Sequence, residues 1–218
     1  MPTAPELFDA IRQGDLARVQ SLIDADSSLI SAKNESGVSA VLSSVYFGRK
    51  DIRDLFLARG ASLELQDAAA VGRLDRVKEL VEKNPALANS FSSDGFPIVA
   101  LAAFMGHADV SRYLKDKGAD INAVATNGSG YNALTGAVTA GHPEVVAWLL
   151  DSGADANYRY GPGSPPLQAA AANGHLEIVK LLLAHGADLA ATTNDGKSAL
   201  ALAEERNHFS VAAFLKST

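Results

Sequence analysis

The chain has 218 residues, 47% of them apolar, a formal net charge of −6 and no cysteine; it can fold around a core, and disulfides, thiolate metal sites and cysteine nucleophiles are excluded together. Acids and bases are interspersed without a basic stripe, which argues against nucleic acid as a partner. No run of about 18 apolar residues offers a membrane span, and the first residues lack the basic start and apolar run of a signal peptide, so a cytoplasmic location is expected.

In chain order, seven helix pairs are predicted near 5–25, 38–59, 64–83, 97–117, 132–152, 165–185 and 198–216. Each turns at a glycine: Gly14, Gly48, Gly72, Gly106, Gly141 and Gly174, with Asn207 in that place in the last pair. The spacings are 34, 24, 34, 35, 33 and 33 residues, the self-similarity of a repeat array. Histidine follows the turn residue at His107, His142, His175 and His208. The second helices align without gaps at 110–120, 145–155 and 178–188, each ending Gly-Ala-Asp. The interval of 24 falls where Glu64 runs straight into a new helix, with no room for a projecting turn. Segment 6–23 also matches 64–81 at an offset of 58, so the N-terminal half reads as a two-repeat block used twice. A break in the row of turns is expected between pairs two and three.

Ordering one such repeat costs more than its own apolar side chains return, so the repeats must stack into a one-dimensional solenoid. Ala-rich inner helices let neighbours approach closely on one side, and larger residues hold the outer side apart. A curved stack with a concave face follows.

These residues resemble the ankyrin repeat family, in the worn form common among its bacterial members. The stretch ahead of the first helix, Gly-x-Thr-Pro-Leu-His-x-Ala in the family, survives best at Gly163, Pro166, Leu167 and Ala170, with weaker copies opening at Gly37, Gly95, Gly130 and Gly196. The resemblance covers about residues 4 to 217. It implies an all-α solenoid with projecting β-turn fingers, forming a single domain over 1–218. The family's histidine in that stretch, which ties turn to helix, is absent from every copy, and its absence predicts a looser turn there.

The candidate chemistry is sparse. The turn histidines recur one per repeat, and neighbouring helices about 8–10 Å apart cannot bring them onto one ion at about 2.0–2.1 Å; they are read as structural. His185 sits near a helix C-terminus, where a partly charged imidazole is favourable. Asp120, Asp155 and Asp188 recur after Gly-Ala and suit backbone capping in turns. The glycine-rich 127–130 segment neither follows a strand nor opens a nucleotide-binding helix, and reads as an enlarged turn. No metal, cofactor or catalytic group is expected.

The residues that break the repeat pattern point instead to recognition. The resemblance implies that partners are held by the turn tips and by the inner helices facing the concave side. On that basis the candidate partner-binding residues are Phe91, Phe96, Phe104, Met105, Tyr131, Tyr158, Arg159 and Tyr160, rich in the aromatic and Arg types of binding hot spots. Phe47, Phe104 and Met105 fit packing between repeats equally well, whereas Tyr158 to Tyr160 are expected to be exposed. Trp148, in the place of Leu181, is expected in the core. The expected function is that of a monomeric, non-enzymatic scaffold binding a protein partner; the alternative is a regulatory or inhibitory subunit of an enzyme.

Overall fold

The computed structural model describes residues 2–161 and 163–218, and within them seven helix pairs follow one another. They are α1 (Ala4–Gln13) with α2 (Leu16–Ala25), α3 (Ala40–Tyr46) with α4 (Lys50–Ala58), α5 (Leu65–Ala70) with α6 (Leu74–Lys83), and α7 (Ile98–Phe104) with α8 (Ala108–Asp116). Then come α9 (Ala133–Ala140) with α10 (Pro143–Asp151), α11 (Pro166–Ala172) with α12 (Leu176–Ala184), and α13 (Ala199–Glu205) with α14 (Phe209–Ser217). The fold is therefore all-α, a solenoid of stacked helix pairs.

Odd-numbered helices form an inner layer and even-numbered ones an outer layer. Neighbouring inner helices lie closer together than neighbouring outer ones. The cause is side-chain size: Ala68, Ala69, Ala102, Ala103, Ala170 and Ala171 are all buried on the inner layer. The closest approach is α7 to α9, where Gly136 faces the Phe104 Cβ and the Ala100 carbonyl. A layer of short spacings joined to one of longer spacings curves toward the short side, so the inner layer is concave.

Each pair turns through a residue with positive φ, the six glycines and Asn207 at 59°; Asn tolerates this region better than other side chains. The residue after the turn reaches back over the turn glycine of the preceding pair. His107, His142 and His208 donate from Nε2 to the carbonyls of Ala70, Phe104 and Ala172 at 3.1, 3.0 and 3.0 Å. His175 packs on Gly141, and Arg49 packs on Gly14 while donating to the Arg12 carbonyl at 2.7 Å. This ladder breaks at Gly48, which nothing approaches within 4 Å.

The break coincides with the missing finger. Antiparallel bridges close fingers at Lys33–Ser39, Phe91–Pro97, Tyr160–Ser164 and Thr192–Ser198, and the Ala125 amide donates to the Tyr131 carbonyl in another. None precedes α5. The fingers on either side close the gap: a Cβ on Gly37 would lie 3.3 Å from the Ser93 Cβ. The two-repeat block is visible as well. Short 3-10 helices follow α2 and α6 at Ser27–Ser31 and Pro85–Asn89, 58 residues apart.

The looser turn expected from the missing family histidine does not appear at the copies opening at Gly130 and Gly163, nor at the start of the finger-less α5. Asp67, Thr135 and Gln168 occupy its place, and all are buried. Asp67 and Thr135 accept from the backbone amides of Glu64 and Asn132 at 2.9 Å, closing capping boxes. Gln168 donates to the Ala191 carbonyl of the next finger at 2.5 Å.

The core has three clusters. The largest runs from α5 to α14, and a second joins the first two pairs. A small third cluster of Val38, Leu42, Ala70 and Leu101 links α3, α5 and α7. It underlies the site described next.

Candidate functional site

The inner helix α5 is six residues long and ends in three alanines, so it leaves little bulk between α3 and α7. The consequence is a cleft of about 420 Å³ over the small cluster. Val45 and Tyr46 at the end of α3 form one wall. Ala100, Leu101 and Phe104 of α7, with Met105 just after it, form the other. Gly136 of α9 and Asn132, which caps that helix, close one end, and Asp94, Phe96 and Tyr131 roof it from the fingers. No α5 side chain lines it. The lining is mainly apolar and aromatic, in the size range of ligand clefts.

Three groups supply polarity. Asn132 is buried and committed to α9, accepting from the Thr135 amide at 2.9 Å. Asp94 is half-buried, and its carboxylate accepts from Ser92 Oγ at 2.6 Å. It faces the Tyr46 hydroxyl, whose pKa is raised well above the ordinary tyrosine value, first by burial and then by the Asp94 charge. Asp94 makes no ion pair among the described residues, although eleven such pairs are found elsewhere.

The structure brings four of the eight candidate residues to this cleft: Phe96, Phe104, Met105 and Tyr131. Phe96 and Tyr131 meet edge to face, with ring centroids 6.4 Å apart. Phe91 lies on the same finger as Phe96 and is 43% exposed. The remaining three serve a different purpose. Tyr158 and Tyr160 are half-buried rather than exposed. The Tyr158 hydroxyl donates to the Gly130 carbonyl at 3.0 Å. Tyr160 packs on the main core, with its ring 5.0 Å from that of Tyr131 and its hydroxyl 3.5 Å from Thr139 Oγ1. Arg159 is exposed but donates to the Thr192 carbonyl of the next finger at 2.6 Å. The physical reason is close finger packing. A Cβ on Gly130 would lie 2.8 Å from the Gly161 amide nitrogen, so the tyrosines lie across the neighbouring finger instead of projecting.

Seven lining residues were not among the candidates, and two of these, Tyr46 and Asp94, face each other across the cleft. Tyr46 was discoverable, because it stands 58 residues before Phe104 in the duplicated block. Asp94 was not, because its block counterpart is Ser36 and nothing in the spacing places it opposite Tyr46. With Phe47, 46% exposed, and Phe104, 38% exposed, Tyr46 at 37% extends the aromatic surface along the inner layer. Trp148 is half-buried against the main core.

The other groups singled out by the sequence are engaged in the scaffold. Asp120, Asp155 and Asp188 each accept from the amide two residues on, at 2.9 Å. His185 bonds the Leu181 carbonyl at 2.8 Å and Asp151 at 3.1 Å, and these two partners raise its pKa. No group of three potential metal-ligating side chains is found among the described residues. No helix among them is long and apolar enough to cross a membrane.

A family model described as ankyrin repeats (3 copies) matches residues 65–160 and 153–218. Two curated relatives are similar over part of the chain. Ankyrin repeat and SAM domain-containing protein 6 of Rattus norvegicus is 39% identical over 124 residues, 57% of this chain. Alpha-latrocrustotoxin-Lt1a of Latrodectus tredecimguttatus is 31% identical over 113 residues, 48% of this chain. The matched stretches span only 11% and 8% of those two proteins.

Proposed function

The chain belongs to the ankyrin repeat family, whose repeats are generally non-catalytic protein–protein interaction modules, and on that premise we propose that it holds a partner protein against the concave inner layer at the cleft between α3 and α7. The observation that carries this reading is the aromatic surface there. Tyr46, Phe47, Phe91 and Phe104 are each more than a third exposed, and Tyr46 and Phe104 flank an apolar cleft of about 420 Å³. Exposed apolar patches rimmed by polar groups mark interaction sites.

The mechanism is recognition by a preordered surface. The turn ladder, the capping boxes and the ties between fingers fix the array before any partner arrives, so binding orders little of this chain. Aromatic anchors beside a desolvated cleft are the residue types and setting of hot spots. Support for a non-enzymatic role is that three turn histidines bond backbone carbonyls, while the recurring aspartates cap turns.

Affinity capture from the source cells tests the proposal, using the wild type, a Phe91→Ala/Phe104→Ala variant and a Phe209→Ala control. Phe209 is 75% exposed on α14, far along the stack from the cleft. A protein held by the wild type and the control but lost from the double variant is expected. Equal capture by all three would remove the assignment to this face.

A further inference from the structure

The cleft combines features that select one kind of occupant. Its walls are apolar at Val45, Leu101 and Met105, and aromatic rings line it at Phe96, Phe104 and Tyr131. One carboxylate, that of Asp94, stands at its finger end without an ion-pair partner among the described residues. Its neutral companions there are the Ser92 hydroxyl, which donates to it at 2.6 Å, and the Tyr46 hydroxyl. A carboxylate at the edge of a low-dielectric cleft attracts a cation more strongly than one in bulk water. The walls in turn require that the cation be carried on an aliphatic stem, and the rings favour a cation that tolerates their faces.

We propose that this cleft receives an arginine side chain of the partner protein, with the methylene stem between α3 and α7 and the guanidinium against Asp94. Lysine fits less well. Its compact ammonium is strongly hydrated, whereas the planar guanidinium is weakly hydrated, stacks on aromatic faces and forks onto a carboxylate. The chain's own charge works in the same direction, since a net charge of −6 favours approach of a basic segment. The proposal rests on the reading of this face as a protein-binding surface and specifies what the partner must present.

The structure supplies its own reporter. Met105 lines the cleft, and the chain has one other methionine, Met1. The full chain labelled with 13C at the methionine methyls is titrated with acetyl-Gly-Arg-Gly-amide. A second titration uses the matching peptide with citrulline, which keeps the shape and removes the charge. The arginine peptide is expected to move the Met105 methyl signal saturably, and the citrulline peptide to bind about tenfold more weakly. Asp94→Asn, which retains an acceptor for Ser92, is expected to weaken the arginine peptide by a similar factor and abolish the discrimination. An unmoved Met105 signal through roughly 10 mM arginine peptide, or an equal response to citrulline, overturns the proposal. If Asp94→Asn does not fold, the two peptides on the wild type still decide it.

The two readings fail separately. If the arginine peptide leaves Met105 unmoved while Phe91→Ala/Phe104→Ala still loses the captured protein, the occupant is wrong and the protein-binding face stands. If the peptide binds but capture is indifferent to those two changes, the partner protein is excluded as the source of the arginine.

Discussion

Replacing Tyr160 with Ala separates packing from recognition. Tyr160 lies half-buried on the main core, beside Tyr131 at 5.0 Å. Truncating a fully buried aromatic costs about 3–5 kcal/mol, so half burial suggests about 2 kcal/mol. The lost ring pair adds roughly 0.5–1.5 kcal/mol, for a total near 3 kcal/mol. At about 2–4 °C per kcal/mol for a chain of this size, Tm should fall by about 6–12 °C. Circular dichroism at 222 nm during heating reads this directly. Phe209→Ala is the control: it removes a ring 75% exposed on α14, and should shift Tm by no more than about 2 °C. A fall of less than about 2 °C for Tyr160→Ala would show that the finger tyrosine does not brace the array.

Two further perturbations address the scaffold. Gly106 has φ +80°, and a Cβ there would lie 2.7 Å from His142, so Gly106→Ala should destabilise by more than about 1 kcal/mol; adding His142→Ala should recover the steric share but not the backbone strain, measured as a double-mutant cycle in urea. Asp67 is 1% exposed, and burial raises its pKa against the opposing hydrogen bonds from Ser39 and the Glu64 amide. A raised folded-state carboxylate pKa means that its stabilising contribution is full below the unfolded value, about 3.9, and is lost as pH rises through the folded value. Asp67→Asn should therefore gain Tm relative to wild type as pH is raised from about 4 to 7; a constant difference across that range would contradict the buried, raised carboxylate.

The repeat array was legible because each helix pair carries local punctuation. Gly106, Gly141 and Gly174 mark turns, and the offset of 58 carried over into the paired 3-10 helices. The structural role read for His107 and His142 follows from their place after those turns. The cleft was less legible. Phe104 and Tyr131 stand out as departures from pattern, but the cleft needs Tyr46 and Asp94 to meet across a repeat that lacks its finger. Periodicity describes what each repeat shares with its neighbours, and so cannot report a contact created by a missing part. Tyr158 and Tyr160 misled for a related reason. An aromatic in a finger looks exposed until the neighbouring finger's glycines let it lie flat. The tie from Gln168 to Ala191 was equally unreadable, because it depends on the distance between two repeats.

The claim that the cleft face of the inner layer is where this chain meets a protein is tested most directly by site-specific photo-crosslinking in the source cells. The photoreactive residue p-benzoylphenylalanine is placed at Phe104 beside the cleft or at Ser210, exposed on the outer helix α14. A discrete crosslinked protein from position 104, absent from position 210, is predicted. The same adducts from both positions, or a discrete adduct from 210 alone, would contradict it.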